Sequence, residues 1–107
     1  MQLKAAEDIV TWLRRSWTGN VDWDEHNLGK LSKHGFSRTE VEEALAVEFV
    51  FAGEVVGDFG ERRFVLFGKL SDDRHMTIAW TVRENKLRPI SCRRSRDAEK
   101  QQFEQSR

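Results

Sequence analysis

The amino-acid sequence predicts an α+β domain with a mostly helical first half and an antiparallel sheet in the second. Apolar residues recur largely at helical spacing up to residue 47, and from residue 48 onward they follow the shorter period of strands. Helices and strands that are segregated along the chain, rather than alternating, are typical of α+β folds. The length of 107 residues and the lack of an internal linker predict one domain over residues 1–107.

Residues 1–20 are predicted to form an additional N-terminal helix. Apolar side chains recur at helical spacing within residues 4–16, at positions Ala5, Ile9, Trp12 and Leu13. A Thr-Gly-Asn sequence at 18–20 ends this helix.

Two further helices are predicted from their capping residues. After a short strand at residues 21–23, Asp24 caps a helix that ends at Gly35. Ser37 and Glu40 have the spacing of a capping box, in which each side chain accepts a hydrogen bond from the other residue's amide. A third helix therefore begins here. The side chains expected to be buried by these two helices are Leu28, Leu31, Val41, Ala44 and Leu45.

Strands are predicted at residues 48–56, 63–67 and 74–83, followed by a final strand after a Glu-Asn-Lys turn. A Gly-Asp-Phe-Gly turn at 57–60 separates the first two. Because the second of these strands is apolar on both sides, we expect the sheet to be covered on both faces. The C-terminal segment, residues 95–107, is predicted to be a marginal helix that needs tertiary contact, since it has few apolar residues.

The register of the final hairpin decides which side chains share a face. A three-residue loop pairs Arg83 with Leu87, and Ile90 and Cys92 then join the apolar core. A two-residue loop reverses these assignments, and the apolar match favours the longer loop. Pro89 lacks an amide donor, which predicts an edge strand. The polar side chains expected on the opposite face are Thr77, Thr81, Arg83, Ser91 and Arg93.

The formal net charge of zero hides two segments of opposite sign. Five basic residues and no acid lie between Lys86 and Arg96, whereas seven carboxylates and no Lys or Arg lie between Thr39 and Glu61. A basic strand indicates a site for a phosphate-bearing ligand, and an acidic stretch suits a basic partner.

The basic strand contains one cluster of candidate functional residues. Arg83 and Arg93 suit phosphate binding because each guanidinium group offers paired donors, and Thr81 and Ser91 add hydroxyl groups beside them. Charges that are merely solvated on an exposed sheet face are the alternative.

A second cluster lies at the end of the second helix. The helix dipole favours cations such as Lys30 and Lys33 at this end even when they have no further role. His34 would titrate near neutral pH and so move protons, although a histidine before a terminal glycine is more often a local cap.

Several classes of protein and site are not indicated. No signal peptide or membrane-spanning apolar run is present, so a cytoplasmic location is expected. The single Cys92 and the spacing of the three histidines provide no metal site, so no metal or other cofactor is expected. No phosphate loop, dinucleotide-binding glycine motif or serine-nucleophile motif is present.

Short motifs spread over about residues 21–104 together resemble the BrnT family of ribonuclease toxins. They include Trp-Asp-Glu-x-Asn, Lys-x-x-Lys-His-Gly-Phe-Ser, Arg-Phe, Thr-x-Arg and Leu-Arg-Pro-Ile-Ser-x-Arg, followed by a glutamate that leads to Phe-Glu. These motifs begin at Trp23, Lys30, Arg63, Thr81, Leu87 and Glu99.

The resemblance implies a RelE-like fold and a type II toxin that cleaves RNA without a metal, through attack of a ribose 2′-hydroxyl on the adjacent phosphate. It also implies a BrnA-like ribbon-helix-helix antitoxin, with DNA contacted only through that partner and no membrane contact. In this family the arginines suit stabilisation of charge on the phosphate, and His34 suits proton transfer. The implied catalytic residues are Lys33, His34, Arg83 and Arg93. The implied RNA-binding residues are Lys30, Thr81, Arg88, Ser91 and Arg94.

Two alternative functions remain open from the sequence. The first is a catalytically weakened or inactive RNA- or protein-binding module of the same fold. It is favoured by Phe103 where the family commonly has tyrosine, by Val82 where many members have glutamate, and by the extra residues 1–20. The second is a plain scaffold whose basic strand is solvated.

Overall fold

The computed structural model describes residues 2–4, 7–56 and 60–107. It confirms the α+β class, with one antiparallel sheet of five strands in the order β1-β2-β3-β4-β5. The elements in chain order are β1 (Gln2–Lys4), α1 (Glu7–Arg15), α2 (Glu25–Lys33), α3 (Arg38–Val47), β2 (Phe49–Val56), β3 (Phe64–Lys69), β4 (His75–Arg83), β5 (Lys86–Arg94) and α4 (Asp97–Ser106).

The N-terminal segment differs from its prediction. Lys4 belongs to β1, which pairs with β2, and the helix begins only at Glu7. A strand of three residues is too short to show a period, and its pairing partner lies some fifty residues away. The predicted apolar position Ala5 and most of the predicted turn at 57–60 lie outside the described residues.

The larger core lies between one face of the sheet and helices α1, α2 and α3. Its sheet side includes Leu66, Ile78 and Trp80, which are less than 1% exposed. Helices α2 and α3 contribute Leu31, Val41, Ala44 and Leu45, as predicted, and the loop between them contributes Phe36. Leu28, which was expected to be buried with Leu31, is only half-buried.

A smaller core lies on the other face, beneath α4. Phe103 is 1% exposed and packs with Val65 and Phe67 of β3. Because β3 is buried on both faces, the prediction from its apolar sequence is confirmed. The same contact supplies the tertiary packing that the marginal α4 helix was expected to need.

The predicted caps of α2 and α3 are confirmed. The Asn27 amide donates to Asp24 at 3.0 Å, and the Asp24 amide donates to the Asn27 side chain at 2.9 Å. Ser37 and Glu40 form the equivalent box at α3. Gly35 adopts a φ of 79°, the left-handed conformation that glycine accommodates at a helix end.

The hairpin between β4 and β5 has a two-residue turn, so the predicted pairing of Arg83 with Leu87 is wrong. Arg83 pairs with Lys86, and both turn residues have positive φ, as a type I′ turn requires. The register then shifts between residues 79 and 80, because Ile90 is an extra residue in β5. Beyond this bulge the predicted pairs hold: they are Ala79 with Ser91, Ile78 with Cys92, and Thr77 with Arg93.

The core-facing residues of β5 follow from this bulge. Leu87, Pro89 and Cys92 are buried, whereas Ile90 is only half-buried and does not occupy the core position predicted for it. Pro89 lies in an edge strand, as predicted. The predicted short strand at 21–23 is reduced to a single bridge between Val21 and Leu87.

The N-terminal helix is an integral part of the larger core. The Trp12 ring stacks on Trp80 with centroids 6.3 Å apart, and its indole N–H donates to the Asn85 side chain at 2.9 Å. Asp8 receives two hydrogen bonds from Arg62, the shorter at 2.6 Å. Helix α1 therefore holds the hairpin turn and the start of β3.

Replacing Trp12 with alanine is expected to destabilise the protein by about 2–4 kcal/mol, since it removes a large, partly buried ring and leaves a cavity. Urea unfolding measures this change. Thr11→Ala is the control, because Thr11 is exposed on the same helix and its loss should cost less than about 0.5 kcal/mol. Equal stability of the two variants would contradict the packing of α1 on the sheet.

Candidate functional site

The face of β4 and β5 that points away from α1, α2 and α3 has a polar surface, which we call the polar face. Cross-strand pairing places its members on one side of the sheet. They are His75, Thr77, Ala79, Thr81, Arg83, Lys86, Arg88, Ser91 and Arg93. The prediction that Thr77, Thr81, Arg83, Ser91 and Arg93 share a face is therefore confirmed.

Three hydrogen bonds to described residues hold the Arg93 side chain on the polar face. Its Nη1 and Nη2 groups each donate to one oxygen of Glu99 at 2.8 Å. Glu99 also accepts from the Thr77 hydroxyl at 3.1 Å and from the Arg96 backbone amide at 2.7 Å. A second Nη1 bond runs to the Arg94 carbonyl at 3.1 Å. Arg93 is thus held in one orientation on the sheet.

The ion pair also fixes the charge of both groups. The hydrogen bonds from Arg93 are the main reason that the pKa of Glu99 falls from 4.5 to about 2. The same contact raises the pKa of Arg93. Glu99 is therefore a carboxylate at neutral pH, and it is too weakly basic to act as a general base there.

Arg83 lies on the same face but far from Arg93. It is exposed and forms no ion pair with any described residue. Arg93 pairs with Thr77, which is six residues from Arg83 along β4, a distance of roughly 20 Å at the rise of a β-strand. The two arginines therefore do not converge on a single phosphate.

Two of the predicted RNA-binding residues have structural contacts. The Thr81 hydroxyl is buried and donates to the Arg62 carbonyl at 2.7 Å. Arg88 forms ion pairs with Asp22 at 3.2 Å and Asp24 at 2.8 Å, and its side chain is only 13% exposed. The Arg88 ion pairs fasten residues 22–24 along the edge of β5.

The other two predicted RNA-binding residues of β5, Ser91 and Arg94, form fewer contacts within the described part of the protein. Ser91 is half-buried, and its hydroxyl has no hydrogen-bond partner within the described ranges. The Arg94 side chain is exposed and likewise forms no ion pair in the described part of the chain. Ser91 lies two residues before Arg93 and Arg94 directly follows it, and both remain able to contact a ligand.

The helix cluster lies in the layer on the opposite side of the sheet. Leu31 of α2 is buried in the larger core, so α2 packs against the face away from Arg93. Lys30, Lys33 and His34 have no ion-pair partner among the residues described. No hydrogen bond or ion pair between described residues joins this cluster to the polar face. The structure does not bring the two predicted clusters together.

The contacts from α4 were missed by the sequence analysis. Glu99 and Phe103 are four residues apart and so lie on one side of a helix, and this spacing is the signal by which a shared docking surface could have been predicted. His75 is a second such contact: it lies on the same face of β4 as Thr77 and bonds Glu104 at 2.9 Å.

In the folded chain, arginine side chains neutralise most carboxylates of the acidic segment between Thr39 and Glu61. Its described carboxylates mostly pair with arginines from other parts of the chain, whereas Glu43 contacts only the Ser71 hydroxyl, at 3.4 Å. The pairs are Glu40 with Arg74, Glu42 with Arg38, Glu48 with Arg107, Glu54 with Arg62, and Glu61 with Arg63.

Two general features of the described residues bear on the kind of site. No three His, Cys, Asp or Glu side chains among them are grouped as metal binding requires. None of the helices formed by these residues has both the length and the apolar character needed to cross a membrane.

A family model for the ribonuclease toxin BrnT of type II toxin–antitoxin systems matches residues 23–99. The chain belongs to the BrnT family. The match begins before α2 and ends at Glu99, so it includes Arg93 and excludes β1 and α1. The BrnT family consists of ribonuclease toxins, which act on RNA and are paired with an antitoxin. No curated protein and no solved structure matches the chain, and the RelE-like detail of the fold stays a prediction.

The low pKa of Glu99 leads to an acid-dependent stability. A carboxylate whose pKa falls on folding stabilises the native state above its unfolded value of 4.5, and this contribution is lost as the pH falls toward about 2. Glu99→Gln is expected to lower the unfolding free energy at pH 7 and to make its decline between pH 4.5 and 2 shallower. Urea unfolding across this pH range measures both effects. An unchanged slope would show that the Glu99–Arg93 pair is not formed.

Proposed function

We propose that this BrnT-family toxin is a metal-independent endoribonuclease of the mRNA-interferase kind that binds the RNA backbone beside Arg93. The observation that best supports this proposal is the fixed orientation of Arg93 on a polar face within the family-matched segment. Ser91 lies beside it, and Arg83 offers a separate backbone contact about 20 Å away.

The hydrogen bonds of Arg93 leave a defined set of donors for a phosphate. A guanidinium group has five N–H donors. Both Nη1 donors and one Nη2 donor are used within the protein. The Nε–H and the second Nη2–H have no partner in the described part of the chain, and they lie on one edge of the planar group as a two-point fork. Such a fork suits two oxygens of one phosphate.

The proposed reaction is attack of a ribose 2′-hydroxyl on the adjacent phosphorus. The 2′-oxygen bond to phosphorus forms, the bond to the 5′-oxygen breaks, and the products are a cyclic phosphate and a free 5′-hydroxyl. One proton leaves the 2′-hydroxyl and one is delivered to the 5′-oxygen. The remaining fork of Arg93 stabilises the negative charge that builds on the phosphate oxygens.

The cluster at the end of α2, formed by Lys30, Lys33 and His34, can contact the same RNA chain as Arg93, because β5 is an edge strand. An RNA chain that crosses this edge meets the polar face on one side and α2 on the other. We assign backbone binding to Lys30, Lys33 and Arg94 on this path. Proton transfer is assigned to His34, which requires that the cleaved phosphate lie at this edge, within reach of both α2 and Arg93. Arg88 and Thr81 are assigned to the fold.

The proposed protein partner is a BrnA-like ribbon-helix-helix antitoxin, through which the complex would contact DNA. The family match supports an antitoxin of some kind. The paired acidic segment gives little support for its use as a binding surface. The adjoining reading frame tests this part of the proposal: a frame that encodes a different class of protein contradicts it.

An inactive RNA-binding module is the second candidate function. The family commonly has a tyrosine at the position of Phe103, and here the ring is buried against Val65 and Phe67. No hydroxyl is therefore supplied from this position. Salt-dependent RNA binding without cleavage would favour this candidate.

Arg93→Ala is expected to lower the rate of RNA cleavage by about 100-fold or more, because the donors to the transition-state charge are lost. Arg93→Lys should lose most of the activity too, since an ammonium group cannot form the fork. The assay follows cleavage of purified RNA in the presence of a chelator. Arg15→Ala is the control: it removes one exposed charge from α1, on the far side of the sheet.

Undiminished cleavage by Arg93→Ala would overturn the assignment of Arg93. Loss of wild-type cleavage on chelation would overturn the metal-independent mechanism alone.

His34→Gln is expected to lower kcat by about 100-fold, because a proton carrier is lost. His26→Gln is the matched control, since His26 is also exposed but lies in the first turn of α2, whereas His34 caps the opposite end of that helix. Full activity of the His34 variant would assign proton transfer to another group, and His75 on the polar face would be the next to test.

A further inference from the structure

We propose that Glu99 is a positioning residue for Arg93, so that the C-terminal helix α4 sets the direction of the RNA-binding fork. This inference rests on the proposed function. It adds to the site a residue that does not itself contact RNA.

The carboxylate of Glu99 is well suited to this role because both of its oxygens are engaged. Two bonds from Arg93 define the plane of the guanidinium group, and single bonds come from the Thr77 hydroxyl and the Arg96 amide. The Thr77 hydroxyl also bonds the Ser95 hydroxyl at 2.8 Å. Glu99 is only 16% exposed, so water competes little for these contacts.

Helix α4 is also fastened to the sheet at a second point, away from Arg93. The docking of α4 can therefore be tested separately from the positioning of Arg93. Near the far end of the helix, Glu104 bonds His75 at 2.9 Å and Lys69 at 3.3 Å. Phe103 anchors the same turn in the smaller core. Glu104 therefore holds α4 without touching Arg93, and it provides a matched control for Glu99.

Two simpler roles for Glu99, neutralising the charge of Arg93 or docking α4, predict results that differ from those expected if Glu99 positions Arg93. If Glu99 only neutralised Arg93, Glu99→Gln would add net positive charge and strengthen RNA binding. If Glu99 only docked α4, Glu104→Gln would reduce activity as much as Glu99→Gln. Positioning alone predicts a loss that is specific to Glu99 and that depends on the presence of Arg93.

The experiment compares kcat and KM of the full chain as wild type, Glu99→Gln, Glu104→Gln, Arg93→Ala and the Arg93→Ala/Glu99→Gln double variant. We expect Glu99→Gln to lower kcat by about 10- to 100-fold, as misorientation of a reacting group does, and to raise KM several-fold, because the fork also binds the RNA before it reacts. Glu104→Gln should stay within about threefold of wild type. The double variant should be no slower than Arg93→Ala, because the two residues act as one unit.

A parallel measurement uses an RNA that is 2′-O-methylated throughout and so cannot be cleaved. Glu99→Gln should bind it several-fold more weakly than wild type despite the added positive charge. This measurement also tests the inference if the chain binds RNA without cutting it.

The inference is overturned if Glu99→Gln matches or exceeds wild type in both assays, or if Glu104→Gln loses as much as Glu99→Gln. In either case the proposed function stands as long as Arg93→Ala remains inactive. A wild type that neither binds nor cuts RNA overturns the proposed function, and with it the role of Glu99.

Discussion

The β-bulge at Ile90 is the constraint on which the rest of the site depends. The two-residue turn pairs Arg83 with Lys86, and if this register continued, Ser91 and Arg93 would face the hydrophobic core. One extra residue reverses the alternation of the distal half of β5. The strand can then bury Leu87, Pro89 and Cys92 in the core while it presents Ser91 and Arg93 on the polar face.

The bulge couples the packing of the sheet to the chemistry of the site. Arg93 reaches the polar face near the end of the strand that leads into α4, and Glu99 in the first turn of that helix binds it at two points. Phe103, one turn further along, docks the same helix in the smaller core. A helix with few apolar residues is thus held by one buried ring and by carboxylates, and the Nε–H edge of the Arg93 guanidinium group forms no hydrogen bond with any residue that the structure describes.

Local signals predicted much of this fold. The caps at Asp24 and Ser37 need only residues three positions apart, and the double-sided burial of β3 follows from its apolar sequence. The hairpin was harder, because Glu84-Asn85 adopts positive φ without the glycine that usually marks such a turn. The two-residue loop shifts the register by one residue from the prediction, and the bulge at Ile90 shifts it back. The pairs beyond the bulge were therefore predicted correctly although the turn was not. Long-range contacts such as β1 on β2, or Arg74 on Glu40, leave no local pattern in sequence.

The location of the RNA on the polar face is tested most directly by titrating the ¹⁵N-labelled protein with fully 2′-O-methylated RNA and following its amide resonances. The expected result is that the largest shifts occur at Ala79, Ser91 and Arg93, with smaller shifts at the α2 residues across the β5 edge. Unperturbed Ser91 and Arg93 resonances, with shifts confined to α2 or α1, would contradict the polar face as the RNA-binding surface.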